Sequence, residues 1–453
     1  MIGKNAGGSA GRFDVTEDQV GLLSFLKKGE SEAPAAAAEA AAAAPAEAAA
    51  DHAAGALLCR TEIVDERHRL CGYRFSGDSL AEPQFFEALV ANGLAEFAQR
   101  RVALVPISLD AVVFQRHLPV AAPHTVFLLE RRQGNVAVEQ IAGRMAALRE
   151  SGSKVALRGI TLDAADAPLL ALCDVAVMHL GEHALPEFQN LTRQLRAQHP
   201  NIKLLVEGVD TWDEQRMCAS WGCNYFMGQF LVTTDKVDPD AKIDQSRVTS
   251  IELLNLLRSD AELPAMIEVA KRDPGMTFQV LQWANAPGNG QTTKVTSLQQ
   301  AFMVLGRNQL YRGLTVSMFR LGGANKERDE SLLEVALTRA RFLETVAQDK
   351  LPQAKRDELF LVGLLSLFDV LMGVPMATIL GKMHLSDEIR DVLLKSEGVY
   401  GPYLMLVLLL ERNKVERAME IADQLGIDAE GMGETGAAAF KWAQDSLHQK
   451  AAD

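Results

Sequence analysis

Apolar runs of strand length, closed by a charged residue or a glycine, recur through the first half of the chain. Leu57–Val64 turns through Asp65 into Leu70–Phe75, and Val102–Ile107, Thr125–Glu130, Lys154–Arg158, Cys173–His179 and Lys203–Glu207 follow. Between the second and third runs, Pro83-Gln-Phe-Phe-Glu-Ala-Leu-Val90 has helical spacing. From Ile251 onward the pattern becomes helices punctuated by prolines and glycines: Ile251–Leu257, Leu263-Pro264, Asp273-Pro274, Phe278–Asn285, Ser297–Gly306 and Glu358–Asp369. The first 56 residues follow neither pattern. Ala35 to Ala50 is nearly all alanine and reads as a linker. Ahead of it, Asp14-Val-Thr-Glu-Asp-Gln19 resembles a capping box, and Val20, Leu22, Leu23, Phe25 and Leu26 follow before Lys27-Lys28-Gly29. This predicts a short amphipathic helix over 14–28, suited equally to a partner's groove and to folding back on its own barrel.

Composition narrows the class. At 453 residues with 48% hydrophobic content, the chain can fill two or three cores. The five cysteines, at 59, 71, 173, 218 and 223, fit reduced buried thiols in a reducing compartment. No signal peptide and no apolar run of eighteen is read, and Met405–Leu410 is bounded by Pro402 and Glu411, so a cytoplasmic protein without a membrane span is expected. With 46 basic against 59 acidic residues, the net charge of −13 has the wrong sign for broad nucleic-acid binding.

The motif Lys203-Leu-Leu-Val-Glu-Gly-Val-Asp-Thr-Trp212, followed by Trp221-Gly-Cys-Asn-Tyr-Phe-Met-Gly-Gln229, resembles the late strands of an EAL domain, the barrel that hydrolyses cyclic di-GMP. The resemblance implies a (β/α) TIM-like barrel over 57–237 and a two-metal phosphodiester cleavage that needs several converging carboxylates. This chain departs from that set. Arg74 stands for the metal-binding glutamate of the second strand, Pro106 for an asparagine, and Arg158 for the first carboxylate of the Asp-Asp-Phe-Gly motif. Val177 replaces the lysine, Met227 the glutamine before Gly228, and only Glu130 and Glu207 survive. The literal Glu87-Ala88-Leu89 lies on the helical stretch after the first strands and is read as coincidence. Arg158 is therefore expected to pair with Glu130 or Glu207 in place of metal, with Arg74 as a second candidate.

The Leu-Pro opening, Asp-Pro turn, helix ending in Ala284-Asn285, polar loop and Ala301-to-Gly306 helix resemble an HDOD domain. This implies an all-helical unit whose HD-type metal dyad is gone, in keeping with only His384 and His448 after Lys203. The expected architecture is multidomain, α/β plus all-α. It consists of an amino-terminal region 1–56, a degenerate EAL barrel 57–237, a connector 238–246 and an HDOD helical domain 247–453. No cofactor and no catalytic or metal-binding residue is assigned. The expected function is a non-catalytic bacterial signalling scaffold with protein partners. The alternatives are a cyclic di-GMP receptor that does not hydrolyse it and, below that, a residual phosphodiesterase. Trp283, Asn285 and Asn289, at the end of one HDOD helix, are a candidate docking rim, against the plainer reading of core tryptophan and helix cap.

Overall fold

The computed structural model describes residues 55–77, 80–131, 136–236, 243–259, 261–286, 294–320 and 325–448. The expected helix 14–28, its linker and Asn289 lie outside the described residues. Eight strands close a barrel in sequence order: β1 (Cys59–Asp65), β2 (Leu70–Ser76), β3 (Val102–Pro106), β4 (Thr125–Glu130), β5 (Lys154–Arg158), β6 (Val175–His179), β7 (Lys203–Glu207) and β8 (Tyr225–Met227). β1 is antiparallel to both its neighbours, and every other pairing is parallel. Strands such as Thr-Val-Phe-Leu-Leu-Glu are buried on both faces because one face fills the barrel and the other receives helices. Ile63, Leu104, Val126, Leu128, Ala156, Val177, Leu205 and Met227 form the interior plug, so the barrel is a packed core open only at its rim.

Helix boundaries follow local chemistry. Thr211 and Glu214 form a capping box at the start of the Trp212–Ser220 helix. The Asp-Pro turn opens the Pro274–Ala284 helix because Asp273 Oδ1 accepts from the N–H groups of Gly275 and Met276. The helical part begins at Gln245 and continues to His448.

β1 and β2 are joined by a tight turn, in which Asp65 Oδ1 accepts from the backbone of Arg67 and Arg69. A turn this short carries no crossover helix, so the outer face of the hairpin must be covered from elsewhere. The helices Lys326–Val346, Gly401–Glu411 and Ala429–His448 cover it. Leu70 donates its N–H to Ser331 Oγ at 2.8 Å, and the buried Glu334 carboxylate accepts from Tyr73 Oη (2.7 Å), Arg101 Nη2 (2.7 Å) and Gln444 Nε2 (2.5 Å). Tyr73, Phe97 and Phe440 pack their rings together beside it.

Candidate functional site

The site is built by strand alternation. With Val126, Leu128, Ala156, Leu205 and Val177 pointing inward, period two also turns Glu130, Arg158, Glu207 and His179 toward the barrel axis at the strand ends. Register places Glu130 opposite Arg158, Arg158 opposite Val177, and His179 opposite Glu207. Thr61 of β1 lies opposite Arg74 of β2.

The four charged residues singled out in the sequence come together. Arg74 Nη1 donates to Glu207 Oε1 at 2.6 Å, and Arg158 Nε lies 3.3 Å from Glu207 Oε2. Arg158 Nη1 stands 3.7 Å from Glu130 Oε1, while its Nη2 donates to Glu182 Oε1 at 3.0 Å. The arrangement differs from a single bidentate Arg158 pair. The shortest contact belongs to Arg74, and Arg158 spreads its fork over three carboxylates. Glu207 is only 5% exposed and is the charge that most needs partners. Glu130 is more open. Burial pushes its carboxyl above the ordinary range, and Arg158 offsets this in part.

Two rim residues escaped the sequence reading. Glu182 lies in the turn after β6, and nothing in its spacing points toward Arg158. His179 was legible from alternation with Val177. Its Nδ1 accepts the N–H of Gly181 at 3.1 Å, and its ring lies against Gly208. A Cβ at Gly208, whose φ is +74°, would come within 2.7 Å of that ring.

The residues present do not fit a two-metal centre. Two glutamates remain, and two guanidiniums stand between and beside them where further ligands would have to converge. Val177 is apolar and sealed in the plug. Among the described residues, no cluster of three or more His, Cys, Asp or Glu side chains has metal-holding geometry.

In the helical part, Trp283 is 3% exposed and belongs to the core. Asn285 closes the helix and clasps the far side of the following loop. Its Nδ2 donates to the carbonyls of Leu281 and Val295, and its Oδ1 accepts the N–H of Val295. Of the candidate docking rim, Trp283 is thus buried and the Asn285 amide is used in holding the loop. His384 is exposed, and its backbone N–H donates to Asn255 Oδ1.

The HDOD domain family model matches residues 248–375. That stretch is an HDOD domain. Ahead of that stretch the chain folds as the closed eight-stranded barrel. Along 404 residues it is 21% identical to the cyclic di-GMP phosphodiesterase CdgJ of Vibrio cholerae, covering 86% of this chain and 92% of that protein. It is 27% identical over 248 residues to the uncharacterized protein YuxH of Bacillus subtilis, covering 54% of this chain and 60% of that protein. Among solved structures, an EAL domain protein from Listeria monocytogenes is similar at 16% identity and a TM-score of 0.29, over 42% of this chain and 93% of that one. The YkuI protein of Bacillus subtilis, solved with an EAL domain in complex with cyclic di-GMP and calcium, is similar at 13% identity and a TM-score of 0.31, over 55% of this chain and 73% of that one. The helices after residue 375 lie beyond the HDOD match, yet two of them cover β1 and β2. No helix among the described residues is long and apolar enough to cross a membrane.

Proposed function

We propose that this protein is a non-catalytic signalling scaffold in which a degenerate EAL barrel and an HDOD domain offer surfaces to protein partners. The observation that carries the reading is the double arginine clamp on Glu207, with Arg74 at 2.6 Å and Arg158 at 3.3 Å. Two-metal hydrolysis requires clustered negative charge to hold the cations and to deprotonate water. Here the strand-end carboxylates are neutralised internally, and each guanidinium repels an incoming cation. Purified protein supplied with magnesium or manganese is expected to leave cyclic di-GMP intact. Steady hydrolysis, abolished by Glu207→Ala, would overturn the proposal.

A receptor that binds cyclic di-GMP without cutting it has one observation in its favour. Arg74 Nε is enclosed and has no acceptor, a deficit that a phosphate oxygen would relieve. Calorimetry separates the two readings: saturable heat with cyclic di-GMP that disappears in Arg74→Met selects the receptor, and its absence leaves the scaffold.

A further inference from the structure

Outside the barrel, a groove of about 350 Å3 separates the Glu82–Ala91 and Leu94–Phe97 helices from the Ala429–His448 helix. It stays open because the residues along its walls are small, Ala91 and Gly93 on one side and Ala437 and Ala438 on the other. A Cβ added at Gly93 would meet nothing within 4 Å. The floor is apolar, with Leu58, Phe75, Phe97 and Phe440 contributing. The Phe440 ring is held edge-on to Tyr73 at 5.0 Å and lies 5.7 Å from Phe97. The cleft is therefore preformed, with a volume in the range that holds small organic ligands.

The charges around the groove leave one cation unanswered. At the rim, the exposed Arg100 and Lys441 are matched in number by Glu96 and Asp445. Arg101 is spent on the buried Glu334. Arg60 has no such counterpart: among the described residues, no carboxylate comes within 4.0 Å of it. Its Nη1 donates to the Gly436 carbonyl at 3.3 Å, and its guanidinium lies 4.5 Å from the centre of the Phe440 ring. Its Nε is enclosed without an acceptor. Burial pushes the guanidinium down to about 10, so it is still a cation at neutral pH. An enclosed cation without a counter-charge is costly, and so is an enclosed N–H without an acceptor. One negative charge relieves both. A second would meet Glu96 and Asp445 at the rim, so the charge count selects a monoanion, and the floor selects an apolar body behind it.

We infer that this groove is a binding site for a small monocarboxylate with an apolar body, its carboxylate on Arg60 and its hydrocarbon along Phe75, Phe97 and Phe440. A carboxylate is the head group whose two oxygens match the planar guanidinium fork. The groove lies outside the barrel mouth, so the inference stands whichever chemistry the mouth retains. One wall belongs to the barrel's helices and the other to the last helix of the chain. An occupant therefore touches both, and its binding energy holds that helix against the barrel.

Calorimetry on the full chain with sodium octanoate tests this, with octan-1-ol as the uncharged control. One octanoate per chain is expected to bind with a Kd below about 1 mM, and octan-1-ol about tenfold more weakly or not at all. Amides of 437–445 and 89–97 should exchange more slowly when octanoate is bound. Arg60→Met is expected to weaken octanoate about tenfold or more. Ala438→Trp, at an exposed position that fills the groove, should abolish binding without touching the cation. No saturable heat, equal affinity for octanoate and octan-1-ol, or unchanged affinity in Arg60→Met overturns the proposal. Protection that appears at the ends of β4 and β7 instead puts the anion at the barrel mouth and also overturns it. If Arg60→Met does not fold, Ala438→Trp decides: loss of octanoate binding supports the site, and wild-type binding overturns it.

Discussion

Arg74 and Arg158 share one buried carboxylate, but they are not equivalent. Arg74 makes the short contact to Glu207 and has no other carboxylate within 4 Å among the described residues, whereas Arg158 also reaches Glu182 and Glu130. Truncating Arg74 removes the closer partner of a charge that has little access to water. Arg74→Ala is expected to cost on the order of 3 kcal/mol in urea denaturation, and Arg158→Ala on the order of 1 kcal/mol. Equal losses would show that the two contacts share the Glu207 charge evenly. The strand-end charges themselves were legible in the sequence, because each sits at the close of an apolar run where inward alternation ends at the mouth. The ranking of the two arginines was not, because it depends on how the β2 hairpin approaches β7 across the barrel. Glu182 was illegible for a related reason: a turn residue 24 positions from Arg158 carries no periodic signal.

At the scale of the element, the helix-ending Asn285 explains why an Ala-Asn pair precedes a polar loop in the helical domain. One amide satisfies the helix C-terminus and pairs both ways with Val295, so it fixes the far end of the loop. Asn285→Ala is expected to lose about 1–3 kcal/mol of stability, since it leaves the N–H and C=O of Val295 without their partner. Asn285→Asp keeps the acceptor for the Val295 N–H and loses both donations, so an intermediate loss is expected from the same denaturation curves. The order of helices and turns was readable from prolines, glycines and the Asp273 cap, because those residues act through their own backbone. The fate of Trp283 was not fixed by spacing, since an apolar helix end looks the same whether it faces a core or a partner.

Across the whole molecule, the covered hairpin brings ionisable groups into an apolar seam. Glu62 of β1 lines a cavity of about 90 Å3 with Arg339, Glu411 and Tyr73. Arg339 is already committed to Glu411, at 2.9 and 2.7 Å. Burial, followed by the Glu411 carboxylate and with a smaller push from Glu334, raises Glu62 from its ordinary 4.5 to about 7, against a partial offset from Arg339. The folded protein therefore keeps a proton that the unfolded chain releases between about 4.5 and 7. This contribution to stability is full below 4.5 and is lost as pH rises through 7. Glu62→Gln is expected to gain on the order of 2 kcal/mol over wild type at pH 8 and nothing at pH 4.5, measured by denaturation at both pH values. An equal gain at both would remove the proton from the account. None of this seam was visible in the sequence, because its partners stand as far apart as Tyr73 and Glu334, 261 positions along the chain.

That separation sets an order of events during synthesis. All eight strands leave the ribosome by Met227, yet the helices that seal β1 and β2 end at Glu411 and His448. At ordinary translation speeds, the barrel waits on the order of tens of seconds with Leu58, Tyr73 and Phe75 uncovered. During that interval the hairpin is the adhesive part of the nascent chain, and a chaperone that shields apolar strands would find its binding site there.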